Sequence, residues 1–382
     1  MINLAPDKVL YRHRSTIQGH FLRQKDWARL SRNFEGEADS NVLRDETIAV
    51  ANLYSCLDPQ KLAEIFAGNT SKNDPAVISM VTSIAYTGAI VIPYFDSASQ
   101  KAGFRRLRTD FVEPKYLSPR NSNTPPYVIP HFADARLFNF FRRLIVQELS
   151  KELNLPMDQI QPIADKVLTH TKFDELQQKE GVVDPKTPLL VVEGEFKALA
   201  IADALLDAHK AAIKQVLLSP APNLYDVRHV RVPPKFNILG VGGVWNMVES
   251  ANPTMKDYRV LPEWRPYFPR DNVYICFDSD SKYKVQVAQA CQATAQALQK
   301  VGANAYYVQI DAPASKKMGA DDYIKFAGPQ AFLDLVGKAR PIVGQVGYHF
   351  MCKEAARIGN AMEAILGDVN GPKQATLPSL GN

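Results

Sequence analysis

The second half of the chain alternates short apolar runs with helical patterns, and this alternation constrains the fold more than any other feature. Five segments have the length and apolar content of buried strands: 188–192, 216–219, 236–241, 273–277 and 305–310. Helical patterns are found at 195–210, 283–300 and 329–339. Strands separated by helices predict an α/β fold with a mostly parallel sheet covered on both faces. In such sheets, functional side chains lie just beyond the carboxyl ends of the strands.

Three carboxylates follow two of these predicted strands. Glu193 comes directly after the first apolar run, and Asp278 and Asp280 come after the run VYICF. Alternate residues of an extended chain share a face, so we expect Asp278 and Asp280 to point the same way. Hard oxygen ligands of this kind suit Mg²⁺ or Mn²⁺, which bridge to phosphate oxygens. The pattern predicts a metal site at one edge of the sheet, with Glu193 arriving from a second strand.

The segment GADD adds two carboxylates, Asp321 and Asp322, beyond the last predicted strand. We interpret them as supporting ligands of the same cation. Each acidic segment also has an ordinary structural explanation. A DSD sequence after a strand commonly forms a turn or a helix N-cap, and a single glutamate at a strand end is commonly solvated. The metal interpretation is favoured because the acidic positions occur in order within one α/β unit.

A basic hairpin is predicted ahead of this unit, over residues 88–118. The β-rich run GAIVIPYFD is followed by a polar turn and the run FRRLRTDF, and six Lys or Arg oppose two Asp or Glu between 97 and 120. The hairpin supplies four candidate contacts to the backbone of a nucleic acid: Arg105, Arg106, Arg108 and Lys115. Alternation places Arg106 and Arg108 on one face of the strand and Arg105 on the other.

Composition and charge are typical of a globular chain of two or three domains. The 382 residues are 46% hydrophobic and 22% charged, with a net charge of +5. No apolar run could span a bilayer and the N-terminus lacks a signal-peptide core, so we expect a cytoplasmic protein with no membrane partner. The four cysteines form no CxxC pair, which disfavours a zinc ribbon, and the sequence has no P-loop motif. Residues 9–32 are basic with interleaved aromatics, and we interpret them as a solvated face in preference to a nucleic-acid contact.

Four motifs resemble those of Toprim domains, which occur in bacterial primases, topoisomerases and some nucleases. LLVVEGEFKALAI resembles the glutamate motif, ICFDSD the DxD motif, KKMGADDYI the third acidic segment, and LGVGGVWN the glycine-containing turn between them. The closest resemblance is to a Toprim-like family of plasmid, phage and cyanobacterial primase-related proteins. The basic hairpin resembles the subdomain that precedes Toprim in that family. The resemblance covers roughly residues 85–120 and 186–340.

The resemblance implies a primase-like nucleotidyl transferase that makes short primers from nucleoside triphosphates on single-stranded DNA or RNA. A separate replicative helicase is a further implied partner. Glu193, Asp278 and Asp280 would hold Mg²⁺ or Mn²⁺, with Asp321 or Asp322 in support. Many Toprim domains have an aspartate four residues after the motif glutamate, where this chain has Lys197. A charged lysine cannot bind Mg²⁺, so Lys197 either contacts a phosphate or is an ordinary solvent-facing helix residue.

Two other functions remain open at this point. The acidic residues would serve equally in a Toprim nuclease, or the chain could be a non-catalytic nucleic-acid-binding component of a replication or virion complex. The basic hairpin favours the primase, whereas the absent zinc ribbon and helicase motif disfavour it. The predicted domains are an N-terminal accessory region over 1–84, a basic α+β subdomain with a helical insertion over 85–185, a Toprim catalytic domain over 186–340, and a helical C-terminal extension with a flexible tail over 341–382. Within the insertion, 134–155 predicts an amphipathic helix, and more helix is expected to about residue 180.

Overall fold

The structure is a computed structural model that describes most of the chain, with gaps. It describes residues 22–33, 42–95, 102–109, 114–130, 135–170, 186–219, 233, 236–252, 257–268, 271–312, 317–342, 353 and 355–358. Three predictions therefore fall wholly or partly outside the described residues: the basic stretch before residue 22, the helix beyond residue 170 and most of the C-terminal extension. Within the described ranges, no helix combines the length and the apolar character needed to cross a membrane.

The described residues form strands and helices in a mixed α/β order. The strands are β1 (Tyr54–Cys56), β2 (Ala89–Phe95), β3 (Ala102–Arg108), β4 (Tyr116–Leu117), β5 (Tyr127–Val128), β6 (Leu189–Glu193), β7 (Asn237–Val241), β8 (Val248–Asn252), β9 (Asp257–Val260), β10 (Asn272–Cys276), β11 (Asn304–Tyr307) and β12 (Arg340–Pro341). The α-helices are α1 (Gln24–Ala28), α2 (Asp45–Val50), α3 (Pro59–Ala67), α4 (Pro75–Ala85), α5 (Ala135–Leu153), α6 (Met157–His170), α7 (Glu195–Leu218), α8 (Val285–Lys300), α9 (Ala320–Ala327) and α10 (Pro329–Gly337). Short 3₁₀ helices occupy Pro262–Tyr267 and Ser279–Lys282.

The predicted parallel sheet is present as the centre of a six-stranded mixed sheet. Its order is β12-β11-β10-β6-β7-β5. Strands β11, β10, β6 and β7 run parallel, whereas β12 and β5 pair antiparallel at the two edges. Val192 of β6 is in register with Cys276 of β10 and with Gly240 of β7. The carboxyl ends of these three strands therefore meet at one edge of the sheet.

The two faces of this sheet are covered by different elements. Helices α7, α9 and α10 pack on one face, where Val192 and Cys276 are buried. Helix α8 and the β8–β9 hairpin cover the other face, where Val191 and Ile275 are buried against Trp264. The chain leaves β6 for its neighbour β7 and then crosses to β10 on the opposite side of β6. Strands β6 and β10 thus border a topological switch point, where open α/β sheets bind their ligands.

A second sheet, of order β1-β2-β3-β4, contains the predicted hairpin. Strands β2 and β3 pair antiparallel, with Ile92 opposite Arg106. Strand β1 joins this sheet from the predicted N-terminal region. Helices α3 and α4 cover one face, on which Val91 and Leu107 are buried. Helices α5 and α6 lie elsewhere, packed together with the outer surface of α7.

One predicted strand is wrong and other elements were not predicted. Residues 216–218 continue α7, and the helix ends only at Leu218. The segment before them, DALLDAHKAAIKQ, contains no Gly or Pro, and alanine and leucine favour a helix, so nothing interrupts it. The hairpin β8–β9 and helix α9 are additional to the prediction. Gly302 ends α8 with a φ of +84°, as the sequence predicts for a helix C-terminus.

Candidate functional site

Glu193 is the last residue of β6, and the turn that follows it depends on glycine. Gly194 has a φ of +100°, a conformation that other residues rarely adopt. Its amide donates to the carbonyl of Val241 at 2.8 Å, which fixes the turn against the end of β7. Helix α7 begins at the next residue. Burial raises the pKa of Glu193; Lys197 opposes the shift and Asp278 adds to it.

Asp278 and Asp280 lie just beyond β10 and are nearly inaccessible to solvent, with exposures of 4% and 1%. The 3₁₀ helix Ser279–Lys282 holds them at this edge. Ser279 donates its amide to the carbonyl of Met318 at 2.9 Å and accepts the amide of Met318 on Oγ at 2.9 Å. These two hydrogen bonds fasten the DSD segment to the segment that leads into GADD.

Lys197 lies inside this group of carboxylates. Its Nζ donates to Oδ1 of Asp278 at 2.5 Å. Burial opposes the charged ammonium, but the carboxylates of Asp278, Glu193 and Asp321 outweigh burial and raise the pKa of Lys197. A Cβ at position 319 would lie 2.5 Å from Cε of Lys197, so the glycine of GADD provides the space for the lysine stem. The interpretation of Lys197 as a solvent-facing helix lysine is therefore wrong.

Two further lysines bind the aspartates. Nζ of Lys317 lies 3.0 Å from Oδ2 of Asp278 and 3.2 Å from Oδ2 of Asp280. Nζ of Lys284 lies 3.0 Å from Oδ2 of Asp280. The side chains of Lys317 and Lys284 are half exposed, so both are more easily displaced from the aspartates than Lys197. We call Glu193, Lys197, Asp278, Asp280 and Lys317 the strand-end cluster.

The two acidic residues of GADD have different roles. Asp321 is buried, and its charge contributes to the raised pKa of Lys197, so it lies beside the strand-end cluster. Asp322 caps helix α9 because its Oδ2 accepts the amide of Gly319 at 3.0 Å. The ordinary structural explanation therefore applies to Asp322.

The strand-end cluster has oxygen atoms that suit a hard cation, but lysines engage most of the aspartate oxygens. Within the described part of the chain, no three carboxylate, imidazole or thiolate groups are arranged to hold a metal ion. Both oxygens of Asp278 and Oδ2 of Asp280 contact ammonium groups. Oδ1 of Asp280 is buried without a hydrogen-bond partner among the described residues. A buried carboxylate oxygen without a donor is destabilising, so this atom fits an external cation or donor.

A second group of charges, which the sequence analysis missed, begins two residues after Glu193, on the other side of Gly194. Glu195 is completely buried and accepts hydrogen bonds on Oε1 from the Tyr94 hydroxyl and from Nη1 of Arg106, the latter at 2.8 Å. Burial and the charge of Glu195 raise the pKa of Tyr94. We call Tyr94, Arg106 and Glu195 the buried cluster. It joins the hairpin β2–β3 to the start of α7.

The glycine-containing turn accommodates this buried cluster. A Cβ at Gly242 would lie 2.8 Å from Nη1 of Arg106 and 2.6 Å from Cγ2 of Thr124. Only glycine leaves room for the guanidinium at this point of the GVGG sequence. The second glutamate of EGE and the glycine pair were the available sequence signals. This glutamate and this glycine pair lie where the hairpin β2–β3 contacts the larger sheet.

The basic residues of the hairpin do not line one groove. Arg106 and Arg108 share a face, as alternation predicts, but both are buried, with exposures of 7% and 2%. The Arg108 guanidinium lies 4.8 Å from the centre of the Phe196 ring, in a cation–π contact. Arg105 and Lys115 are exposed. The predicted contact with a nucleic-acid backbone is thus corrected for Arg106 and Arg108, because protein groups already surround them.

Comparison with known proteins gives one partial match. Residues 234–331 match the model of a family described as a domain of unknown function (DUF3854). The matched segment contains Asp278, Asp280, Lys317 and Asp321 but lies beyond Glu193 and Lys197. No curated protein and no solved structure matches the chain.

Proposed function

We propose that the chain is a primase-like nucleotidyl transferase that extends primers on single-stranded nucleic acid and uses the strand-end cluster as its active site. One observation carries the proposal: Glu193, Asp278 and Asp280 meet at the carboxyl edge of two adjacent parallel strands that border a switch point. Such an edge is where α/β proteins bind phosphorylated ligands. The Toprim resemblance of these motifs supports the choice of reaction.

Glu193, Asp278 and Asp280 would hold Mg²⁺ or Mn²⁺, and Oδ1 of Asp280 is already available as a ligand atom. When bound, the ion neutralises charge that develops on the attacked phosphate. Lys317 would leave the aspartates when the ion binds, because its side chain is half exposed. Lys197 would stay, because its stem is confined beside Gly319.

The protein's own cations would then bind the substrate phosphates. Lys197 is held charged at the cluster, so it is placed to contact a triphosphate oxygen. Lys317, once released from Asp278, can contact a second one. Exposed Lys115 is a candidate for sequence-independent contact with the template backbone. The chain has no P-loop motif, so the proposal includes a separate helicase that exposes the single strand.

The test is primer synthesis by the full chain with labelled nucleoside triphosphates, single-stranded DNA and Mg²⁺ or Mn²⁺. The proposal expects labelled products that lengthen with time and are abolished by EDTA. Asp280→Asn provides the matched inactive control, because it keeps side-chain size and removes one ligand charge. An intact template without product, at every metal and template combination, would contradict the proposal.

Hydrolysis of the same phosphodiester bond is a second candidate function. The contact between Lys197 and Asp278 favours it, because an ammonium beside carboxylates that would hold a metal ion would also stabilise an attacking hydroxide. The same assay distinguishes the two reactions. Shortening of an end-labelled template, with no incorporation of nucleotide, would identify a nuclease.

A further inference from the structure

A cavity of about 450 Å³ opens beside the second sheet. It lies between helix α3, strand β3 and the segment around Pro119. Its lining includes Tyr54, Lys61, Glu64, Asn69, Phe104 and Arg105. The volume is within the range of small-molecule sites in proteins. None of the lining residues belongs to the strand-end cluster.

The cavity is lined by two cations that no carboxylate of the described residues neutralises. Lys61 and Arg105 are exposed, and neither forms an ion pair with a carboxylate in the described part of the chain. The carboxylate in the lining, Glu64, is bound by Lys72 at 2.8 Å. Two cations that converge on one cavity without a carboxylate partner among the described residues favour an anionic ligand, and phosphate is an anion that both arginine and lysine bind.

Aromatic side chains form another part of the lining. Tyr54 is only 8% exposed, and its hydroxyl interacts with the guanidinium of Arg105. The ring of Phe104 packs edge to face against Tyr94, with centroids 4.9 Å apart, so its position is fixed from behind. Fixed aromatic surfaces beside cations suit a ligand that combines a planar ring with a phosphate.

The remaining wall is held in place by the backbone. Gly68 has a φ of +55°, and a Cβ there would lie 2.8 Å from the carbonyl oxygen of Arg120. The amide of Arg120 donates to the carbonyl of Phe66 at 2.9 Å. The side-chain amide of Asn69 donates to the carbonyl of Asn121 at 3.3 Å. A preformed wall lowers the entropic cost of binding a ligand.

We infer that this cavity is a binding site for a nucleoside phosphate, with Lys61 and Arg105 on the phosphate and Tyr54 and Phe104 against the base. The inference does not depend on the proposed polymerase activity, because the cavity and the strand-end cluster share no residue. A nucleotide here is bound without a metal ion, since the lining supplies cations of its own.

The experiment is calorimetric titration of the full chain with ATP in the presence of EDTA, which removes metal-dependent binding at the strand-end cluster. We expect one saturable site. Arg105→Ala and Lys61→Ala should each weaken binding about tenfold or more, the scale of one charge-assisted hydrogen bond. Asp278→Asn and Lys338→Ala, an exposed lysine far along the chain, should leave the affinity unchanged. Adenosine alone and tripolyphosphate alone should each bind at least about tenfold more weakly than ATP, because each lacks one half of the ligand.

Several outcomes would overturn the inference. These are the absence of saturable ATP binding, affinity that survives both Arg105→Ala and Lys61→Ala, and affinity that is lost in Asp278→Asn. Tripolyphosphate that binds as tightly as ATP would remove the role of the aromatic rings. A 5′-phosphorylated oligo(dT) that binds through Arg105 where ATP does not would identify a strand end as the occupant instead. Failure of primer synthesis with normal ATP binding would reject only the proposed function.

Discussion

The strand-end cluster and the buried cluster are built from the same kinds of side chain and are separated by one glycine. On one side of Gly194, Glu193 joins two aspartates and the lysines that contact them at the edge of the sheet. On the other side, Glu195 pairs with Arg106 and Tyr94 inside the protein. The first includes Lys317, which is half exposed, whereas Glu195 is completely buried. Accessibility, and not composition, separates a candidate site from a structural contact.

The difference between the two clusters has an energetic basis. The side chains of Arg106 and Glu195 are buried, and both lose their contact with water to make one ion pair between the hairpin β2–β3 and the start of α7. Removing either partner leaves a buried charge without compensation. In the strand-end cluster, each aspartate touches two ammonium groups, so losing one contact leaves others. Substitutions in the buried cluster should therefore reduce stability, and those in the strand-end cluster should reduce activity.

The largest effect is expected for Arg106→Ala. Among the described residues, it leaves the buried carboxylate of Glu195 with the Tyr94 hydroxyl as its one side-chain donor, and it should lower the free energy of unfolding by about 3–5 kcal/mol. Urea denaturation of the variant beside Arg105→Ala measures this. The neighbouring residue Arg105 has an exposed side chain, so its loss should cost no more than about 0.5 kcal/mol. Equal losses in the two variants would show that the buried ion pair of Arg106 contributes no more to stability than an exposed arginine.

The next effect is on activity. Asp278→Asn and Asp280→Asn each keep the size of the side chain and remove a negative charge from the proposed metal site. Each should lower primer synthesis or cleavage by about 10²-fold or more, the scale of one preorganised electrostatic contact. Both variants should fold, because lysines that lose one aspartate keep the other carboxylates of the cluster nearby. Full activity in both variants would favour the non-catalytic binding component.

The sequence predicted the strand-end cluster better than the buried one for a physical reason. Strand ends are visible as apolar runs followed by acidic residues, and parallel strands necessarily bring those ends together. Glu193, Asp278 and Asp280 could therefore be assigned to one edge without coordinates. Whether Arg106 faces solvent or Glu195 depends on how two sheets pack, and no local pattern encodes that packing. The basic hairpin was consequently predicted as a strand pair but misinterpreted as a surface.

The same reasoning explains why parts of the fold were predicted wrongly or not at all. The run VLLS has the composition of a strand, but α7 buries residues along its length in two hydrophobic clusters, and this packing extends the helix through Leu218. Short apolar runs carry no periodicity that separates strand from buried helix. The strands β8 and β9 are polar at several positions, so they gave no signal.

A smaller effect is expected for Lys197. If its ammonium contacts a substrate phosphate, Lys197→Ala should raise the KM for nucleotide or lower kcat by about tenfold. Lys317→Ala is the matched comparison, since Lys317 also binds Asp278 but is half exposed and displaceable. Its effect should be smaller than that of Lys197→Ala. Steady-state kinetics of the two variants that show no change would limit both lysines to neutralising the aspartates.

The smallest effect concerns Glu193, and its sign follows from the raised pKa of that carboxyl. A carboxyl whose pKa is higher in the folded protein than in the unfolded chain favours folding when protonated. Stability is therefore lost as pH rises through the folded pKa.

Glu193→Gln removes this loss, so the variant should melt a few degrees above the wild-type protein at pH 8 and close to it at pH 4. Thermal unfolding of both proteins across this range, without added metal, measures the difference. A Tm difference that stays constant with pH would show that ionisation of Glu193 does not set the effect. A variant that is less stable at pH 8 would mean that Glu193 contributes to folding as an ion partner of Lys197.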